Sequence, residues 1–234
     1  MAYATTIKGC TSAVSICVDG EHSMVGGIAG MAGYNSVIED CTFTGGITLT
    51  DNNTTVSPTF GGIVALLAPN YETETMNAGD NYRGNLVIRN CVNSGFFRYE
   101  GTEALPANLE MHWGGILGHA KSLEKFHSGK LYLIENCYNL YEKKVEDVMK
   151  NHEGYWLGGI VGKADAGNFD SFDSLHIKNC ASVAIEAVGG DASTSSNEFR
   201  STGIPSLHGV LPVIADNVKT ATAEEIRLEI LKEE

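Results

Sequence analysis

Two short patterns alternate along the chain and predict an all-β fold. We read it as a parallel, right-handed β-helix of about five coils with a short C-terminal helix. The first pattern is Ile, polar, small polar, Cys: Ile7-Lys8-Gly9-Cys10, Ile38-Glu39-Asp40-Cys41, Ile88-Arg89-Asn90-Cys91, Ile134-Glu135-Asn136-Cys137 and Ile177-Lys178-Asn179-Cys180. The second is a Gly-Gly-Ile run at Gly26-Gly27-Ile28, Gly61-Gly62-Ile63, Gly114-Gly115-Ile116 and Gly158-Gly159-Ile160, with a worn copy at Thr202-Gly203-Ile204. Self-similarity at this spacing is the signature of stacked repeats, each too small to bury its apolar face alone.

The segments are short, rich in β-branched residues and bounded by Gly, Asn and Asp, which marks them as strands. Ile and Cys stand three apart, so strict alternation would put them on opposite faces. A bend at the intervening Asn or Gly lets both point inward. A third apolar stretch follows each Cys: Val14 to Val18, Ile47 to Leu49, Phe96 to Tyr99, Leu140 to Val145 and Val183 to Val188. Three strands per coil, stacked at about 4.8 Å, make one continuous winding.

The position after each repeat Ile provides a test of register. It reads Lys8, Glu39, Arg89, Glu135, Lys178, alternating in sign. Stacked strands favour opposite charges side by side and penalise like charges, so the alternation is what an outer face of parallel rungs requires.

The solenoid is expected to span residues 1–218 and a helical cap residues 219–234. Thr222 followed by Glu225 forms a capping box, and Ile226, Ile230 and Leu231 fall at helical spacing, predicting a helix from Ala223 to Glu233. Such a segment is expected to act as a lid on an open end of the solenoid.

Composition narrows the function. With 43% apolar and 19% charged residues among 234, the chain has the makeup of a folded protein. A net charge of −13 opposes attraction to phosphate backbones, so nucleic acid is excluded as a partner. No run approaches the roughly 18 apolar residues of a membrane span, and membrane insertion is not expected. Met1 to Gly20 show no basic stretch leading into an apolar block and a cleavage site, hence no visible export signal.

The paired patterns resemble the GLUG-motif repeats of secreted and surface β-solenoid proteins, many of them adhesin-like. The resemblance rests on Gly27-Ile28-Ala29-Gly30, Gly62-Ile63-Val64-Ala65, Gly115-Ile116-Leu117-Gly118 and Gly159-Ile160-Val161-Gly162, each followed by the Cys segment. Departures are Ile in place of Leu, Ala65 in place of the closing Gly, and long insertions in several coils. The resemblance implies a fold and an extracellular or cell-surface setting more than a chemistry.

Cys10, Cys41, Cys91, Cys137 and Cys180 share one repeat position, which favours a column of buried free thiols, with Cys17 outside it. Asn90, Asn136 and Asn179 form one asparagine column and Asn93 with Asn139 a second, read as corner-fixing ladders. The Gly-Gly pairs lack the P-loop pattern and are read as tight corners. No C-x-x-C or paired His motif provides a metal site, and no cofactor is expected.

For catalysis, a polysaccharide-degrading β-helix would need two carboxyls at a defined separation. Asp165, Asp170 and Asp173 cluster in sequence, but acidic loop residues ordinarily face water, and the seven histidines do not share one column. No catalytic residue is assigned.

Binding has a better basis. The run from Ile28 to Cys41 is nearly minimal, whereas those from Ile63 to Cys91, Ile116 to Cys137 and Ile160 to Cys180 carry insertions at one corner, and insertions of this kind map to one face. Candidate contacts there are Tyr71, Tyr82, Phe126, His127, Phe169 and Phe172, with Trp113 and Trp156 on a neighbouring face. The sequence thus points to a non-enzymatic, secreted or cell-surface adhesin-like solenoid that binds carbohydrate or protein. Self-association through a solenoid end is a further expectation. A lyase or hydrolase and a spacer in a longer fibre are the alternatives.

Overall fold

A computed structural model describes residues 5–19, 23–33, 35–50, 57–67, 85–101, 109–120, 132–141, 155–164, 175–183 and 213–233. Coil one comprises β1 (Thr6–Lys8), β2 (Thr11–Ser12), β3 (Ser15–Val18), β4 (Met24–Gly26) and β5 (Ala29–Ala32). Coil two repeats the set as β6 (Ser36–Glu39), β7 (Thr42–Phe43), β8 (Gly46–Leu49), β9 (Thr59–Gly61) and β10 (Val64–Leu67). Coil three is β11 (Leu86–Arg89), β12 (Val92–Asn93), β13 (Phe96–Tyr99), β14 (Met111–Gly114) and β15 (Leu117–Ala120). Coil four has β16 (Tyr132–Glu135), β17 (Tyr138–Asn139), β18 (Tyr155–Gly158) and β19 (Val161–Ala164). Then come β20 (Leu175–Ser182), β21 (Val213–Thr220) and a helix, α1 (Ala223–Glu233).

Every strand pairing among the described residues is parallel, and each strand pairs with its counterpart one coil away. The fold is therefore an all-β parallel β-helix, as the two sequence patterns predict. Two details differ from expectation. A complete coil has five strand segments, not three, because the Ile-x-x-Cys unit is two strands around a corner and the Gly-Gly unit is two more. There is also a sixth rung in the first ladder. In β21, Ala215-Asp216-Asn217-Val218 pairs with Ile177-Lys178-Asn179-Cys180, with Cys180 opposite Val218. The worn copy at Thr202-Gly203-Ile204 lies outside the described residues, as do most of the stretches Leu140 to Val145 and Val183 to Val188.

The corner inside the Ile-x-x-Cys unit explains its composition. Asp40, Asn90, Asn136, Asn179 and Asn217 all have φ between 50° and 55°, and Gly9 at the equivalent place has φ 66°. This left-handed conformation costs most L-residues about 1–2 kcal/mol, while Gly, Asn and Asp tolerate it. One left-handed residue reverses the alternation, so Ile38 and Cys41 both reach the core with no exposure. The corner side chains then bond along the stack. Asn90 Nδ2 donates to Asp40 Oδ1 at 2.9 Å, Asn136 Nδ2 to Asn90 Oδ1 at 3.2 Å, and Asn217 Nδ2 to Asn179 Oδ1 at 3.0 Å.

Cys41, Cys91, Cys137 and Cys180 are buried free thiols, each donating to the carbonyl two residues earlier at 3.1–3.3 Å. A small, weakly polar side chain suits a place that is apolar on one side and faces the corner carbonyl on the other. Burial pushes the Cys137 thiol well above its ordinary pKa. Cys10 departs from the expected buried column: in coil one, with no rung beyond it among the described residues, it is exposed, as is Cys17.

The charged column runs Lys8, Glu39, Arg89, Glu135, Lys178, Asp216 in direct register, so the alternation extends through all six rungs. Glu39 sits between two cations: Lys8 Nζ lies 3.0 Å from Oε1, and Arg89 Nε donates to Oε2 at 2.7 Å. The hydrogen bonds from Lys8 and then Arg89 hold its carboxyl below the ordinary range.

α1 spans the predicted residues, and its capping box is formed: Glu225 N donates to Thr222 Oγ1 at 3.2 Å and Thr222 N to Glu225 Oε2 at 2.8 Å. Its buried Ile226 packs with Tyr138, Ala181 and Val183, residues of coils four and five on the side of the second ladder away from the main core. The helix is thus docked on the flank of the solenoid, where a lid over the open end was expected. Tyr138 and Ala181 leave an apolar strip there that Ile226 covers.

Candidate functional site

The Gly-Gly corner joins the fourth and fifth ladders and is tight for a local reason. A Cβ on Gly61, Gly114 or Gly158 would stand 1.7–1.8 Å from the carbonyl oxygen three residues on. A Cβ on Gly62 or Gly115 would meet Cγ of Asn93 or Asn139 at 2.4 and 2.3 Å. The second glycine therefore makes room for the inner asparagine column, in which Asn93 Nδ2 donates to Asn139 Oδ1 at 2.8 Å and Asn139 Nδ2 to Ser182 Oγ at 3.0 Å. Gly95 N and Tyr141 N donate back to the Asn93 and Asn139 side-chain oxygens, fixing the next bend. Among these buried polar side chains each amide has a partner, which lets the core tolerate them.

On either side of the Gly-Gly corner alternation divides the residues in two. Phe60, Trp113 and Leu157 before it, and Val64, Leu117 and Val161 after it, belong to the main core. The intervening residues meet each other on the opposite side. The column Met24, Thr59, His112, Trp156 faces the column Met31, Leu66, His119, Lys163. His112 and His119 lie with ring centroids 4.4 Å apart, and Lys163 Nζ stands 5.1 Å from the centre of the Trp156 ring. The result is a re-entrant groove in the backbone along the stack, filled by these side chains, apolar at coil one and polar with aromatic at coils three and four; all but Met24 and Lys163 are at most 8% exposed.

Its polar end is one connected network. His112 Nε2 is 3.0 Å from Glu110 Oε2 and Nδ1 is 3.2 Å from Thr59 Oγ1, while Lys163 Nζ pairs with the same Glu110 oxygen. Glu110 N donates to Ser57 Oγ at 3.1 Å. Burial lowers the His112 pKa to about 4, so the ring is neutral at pH 7. We assign its proton to Nε2, facing the carboxylate, which leaves Nδ1 to accept from the Thr59 hydroxyl. The His112 hydrogen bond and the Lys163 ammonium hold Glu110 at about 2. Glu110 is a carboxylate acceptor at neutral pH, and a glycosidase acid needs the reverse shift.

The sequence-predicted contacts fall as follows. Trp113 is a correction: one residue before the Gly-Gly pair, it points inward, 1% exposed, with its ring 5.9 Å from Phe97. Trp156 is a correction too: two residues before its pair, it points away from the main core into the filled outer groove and is only 8% exposed. Tyr71, Tyr82, Phe126, His127, Phe169 and Phe172 lie outside the described residues. The His112–His119 meeting was missed, yet its signal is plain in retrospect. Each groove pair is seven apart across a Gly-Gly corner: Met24 with Met31, Thr59 with Leu66, His112 with His119, Trp156 with Lys163. Among the described residues no group of His, Cys, Asp and Glu is arranged to hold a metal ion.

No curated protein and no solved structure matches the chain. Residues 21–50, which span the first Gly-Gly corner and the second Ile-x-x-Cys corner, match the family model of the GLUG motif. With that unit stacked in register along the solenoid, the chain is consistent with a GLUG-motif repeat family.

Proposed function

We propose that this β-helix is a non-enzymatic binding module, displayed at a cell surface or secreted, that captures carbohydrate or protein on the side carrying the Gly-Gly corner. One observation carries the reading. The insertions attach at both ends of the two-strand unit that forms the groove: residues 50–58 and 100–110 precede β9 and β14, and 68–85, 121–131 and 165–174 follow β10, β15 and β19. The remaining corners, inside the Ile-x-x-Cys unit and between the second and third ladders, are only a few residues long. Variable segments and the polar, aromatic groove column are therefore attached to the same unit of each coil. This is how a rigid scaffold presents recognition elements.

Trp156 is buried beneath the Lys163 ammonium, so the contact surface of this reading is the insertions and not that ring. Glu110 held ionised and His112 held neutral supply fixed hydrogen-bonding groups and no poised acid, which favours capture over turnover. The test is saturable capture on an array of glycans and surface proteins, with the captured glycans then assayed for cleavage. The Tyr71→Ala/Tyr82→Ala pair should weaken capture while leaving the circular dichroism spectrum unchanged. Turnover of a captured polysaccharide, or capture indifferent to the tyrosine variant, would overturn the proposal.

A further inference from the structure

The two ends of the first ladder carry complementary features. Coil one leaves partly or fully open the residues that later coils bury. Ile7 and Ile16 are half-buried and Cys10 is exposed, whereas Ile38, Ile47 and Cys41 are sealed. Val14 is 54% exposed and Met24 37%, two of the four large apolar side chains exposed among the described residues. Among the described strands β1, β2 and β3 each pair on one side only, with β6, β7 and β8. At the other end β21, eight residues long, pairs among the described strands with β20 alone, and Val218 in the cysteine column is half-buried. Open strand edges of this kind are templates for further pairing.

Charge selects the partner and its orientation. The outer column starts with Lys8 and finishes with Asp216, and every internal step pairs opposite signs. A second copy placed head to tail, its β1 beside the β21 of the first, sets Lys8 against Asp216 and continues the alternation across the junction. It also places Ile7 and Cys10 over Ala215 and Val218, the pairing that Ile177 and Cys180 make within the chain. A head-to-head arrangement brings the Lys8 end of one copy to the Lys8 end of another.

We propose that the chain stacks head to tail with a second copy of itself, the edge of β1–β2 adding to the edge of β21. The contact is heterologous and does not close, so association continues beyond a dimer. The decisive experiment is sedimentation of the full chain and two charge variants over a wide concentration range. The unaltered chain is expected to grow past dimer with increasing concentration. Lys8→Glu alone sets a carboxylate against Asp216 at the junction, Asp216→Lys alone sets an ammonium against Lys8, and each should weaken self-association about tenfold or more. Mixed in equal amounts, the two variants should associate, because the carboxylate introduced in one meets the ammonium introduced in the other. That mixture separates a junction effect from fraying of an end rung, which mixing cannot repair. A chain that stays monomeric at millimolar concentration, stops at a closed dimer, or gives variants that fail to associate when mixed would overturn the proposal.

Discussion

Replacing Asn136 in two ways isolates the left-handed corner on which the winding depends. Asn136 has φ 51° and donates from Nδ2 to Asn90 Oδ1 at 3.2 Å. Alanine keeps a Cβ in a conformation costing an L-residue about 1–2 kcal/mol, and it also loses a solvent-exposed hydrogen bond of about 0.5 kcal/mol. Glycine loses the same bond but occupies the left-handed region freely, with only the entropic cost of a more flexible unfolded chain, about 0.5–1 kcal/mol. The account therefore orders stability as wild type, then Asn136→Gly, then Asn136→Ala, with the alanine variant about 1 kcal/mol below the glycine variant. In a helix or a regular strand the order of Ala and Gly is reversed. Urea titration of the three proteins followed by circular dichroism gives the ranking directly. An alanine variant as stable as the glycine variant, or more so, would refute the left-handed corner and with it the inward placement of both Ile134 and Cys137.

Other consequences are equally open to measurement. Gly115→Ala places a Cβ 2.1 Å from Gly159 O and 2.3 Å from Asn139 Cγ, so it should cost more than about 4 kcal/mol or prevent folding; Gly9→Asn, with φ 66° and no atom within 4 Å, should be neutral or slightly stabilising in the same urea titration. In the native protein Cys10 and Cys17 should react with a thiol reagent at once, and the four buried cysteines only on unfolding, as mass spectrometry of the labelled peptides would show. His112 has a folded pKa of about 4, below its unfolded value of about 6.5. Its contribution is full above the unfolded value and is lost as the pH falls from about 6.5 to about 4, on the order of 3 kcal/mol. Glu110, held at about 2, adds its own loss below about pH 4.3. Urea midpoints measured across this range should fall with pH, and His112→Gln should remove the upper part of the fall.

The fold was legible because the positions that set the winding tolerate few residue types. The left-handed corner admits Gly, Asn and Asp, the small inward pocket selects Cys, and the outer column has to alternate charge. The sixth rung escaped notice because Ala215 and Val218 replace the marker Ile and Cys, although Asp216 and Asn217 keep the charge and corner positions. Two-residue strands such as β7 and β12 carry too little alternation to register as strands. The groove was hidden for a different reason. His112 and His119 are neither two nor three to four residues apart, and the Gly-Gly reversal alone brings them together. Trp113 and Trp156 looked equivalent because both precede a Gly-Gly pair, but one position of offset sends the first into the core and the second to the outer groove. The helix was predicted in place from its capping box; its docking site was not, because the strip formed by Tyr138 and Ala181 exists only after coils four and five have stacked.

Sulfur positions test the stack most directly. In an anomalous difference map of the crystallised protein, Cys41, Cys91, Cys137 and Cys180 should appear as four separate peaks in one line at intervals of about 4.8 Å. Peaks merged as disulfides, or dispersed through the molecule, would contradict the layered winding.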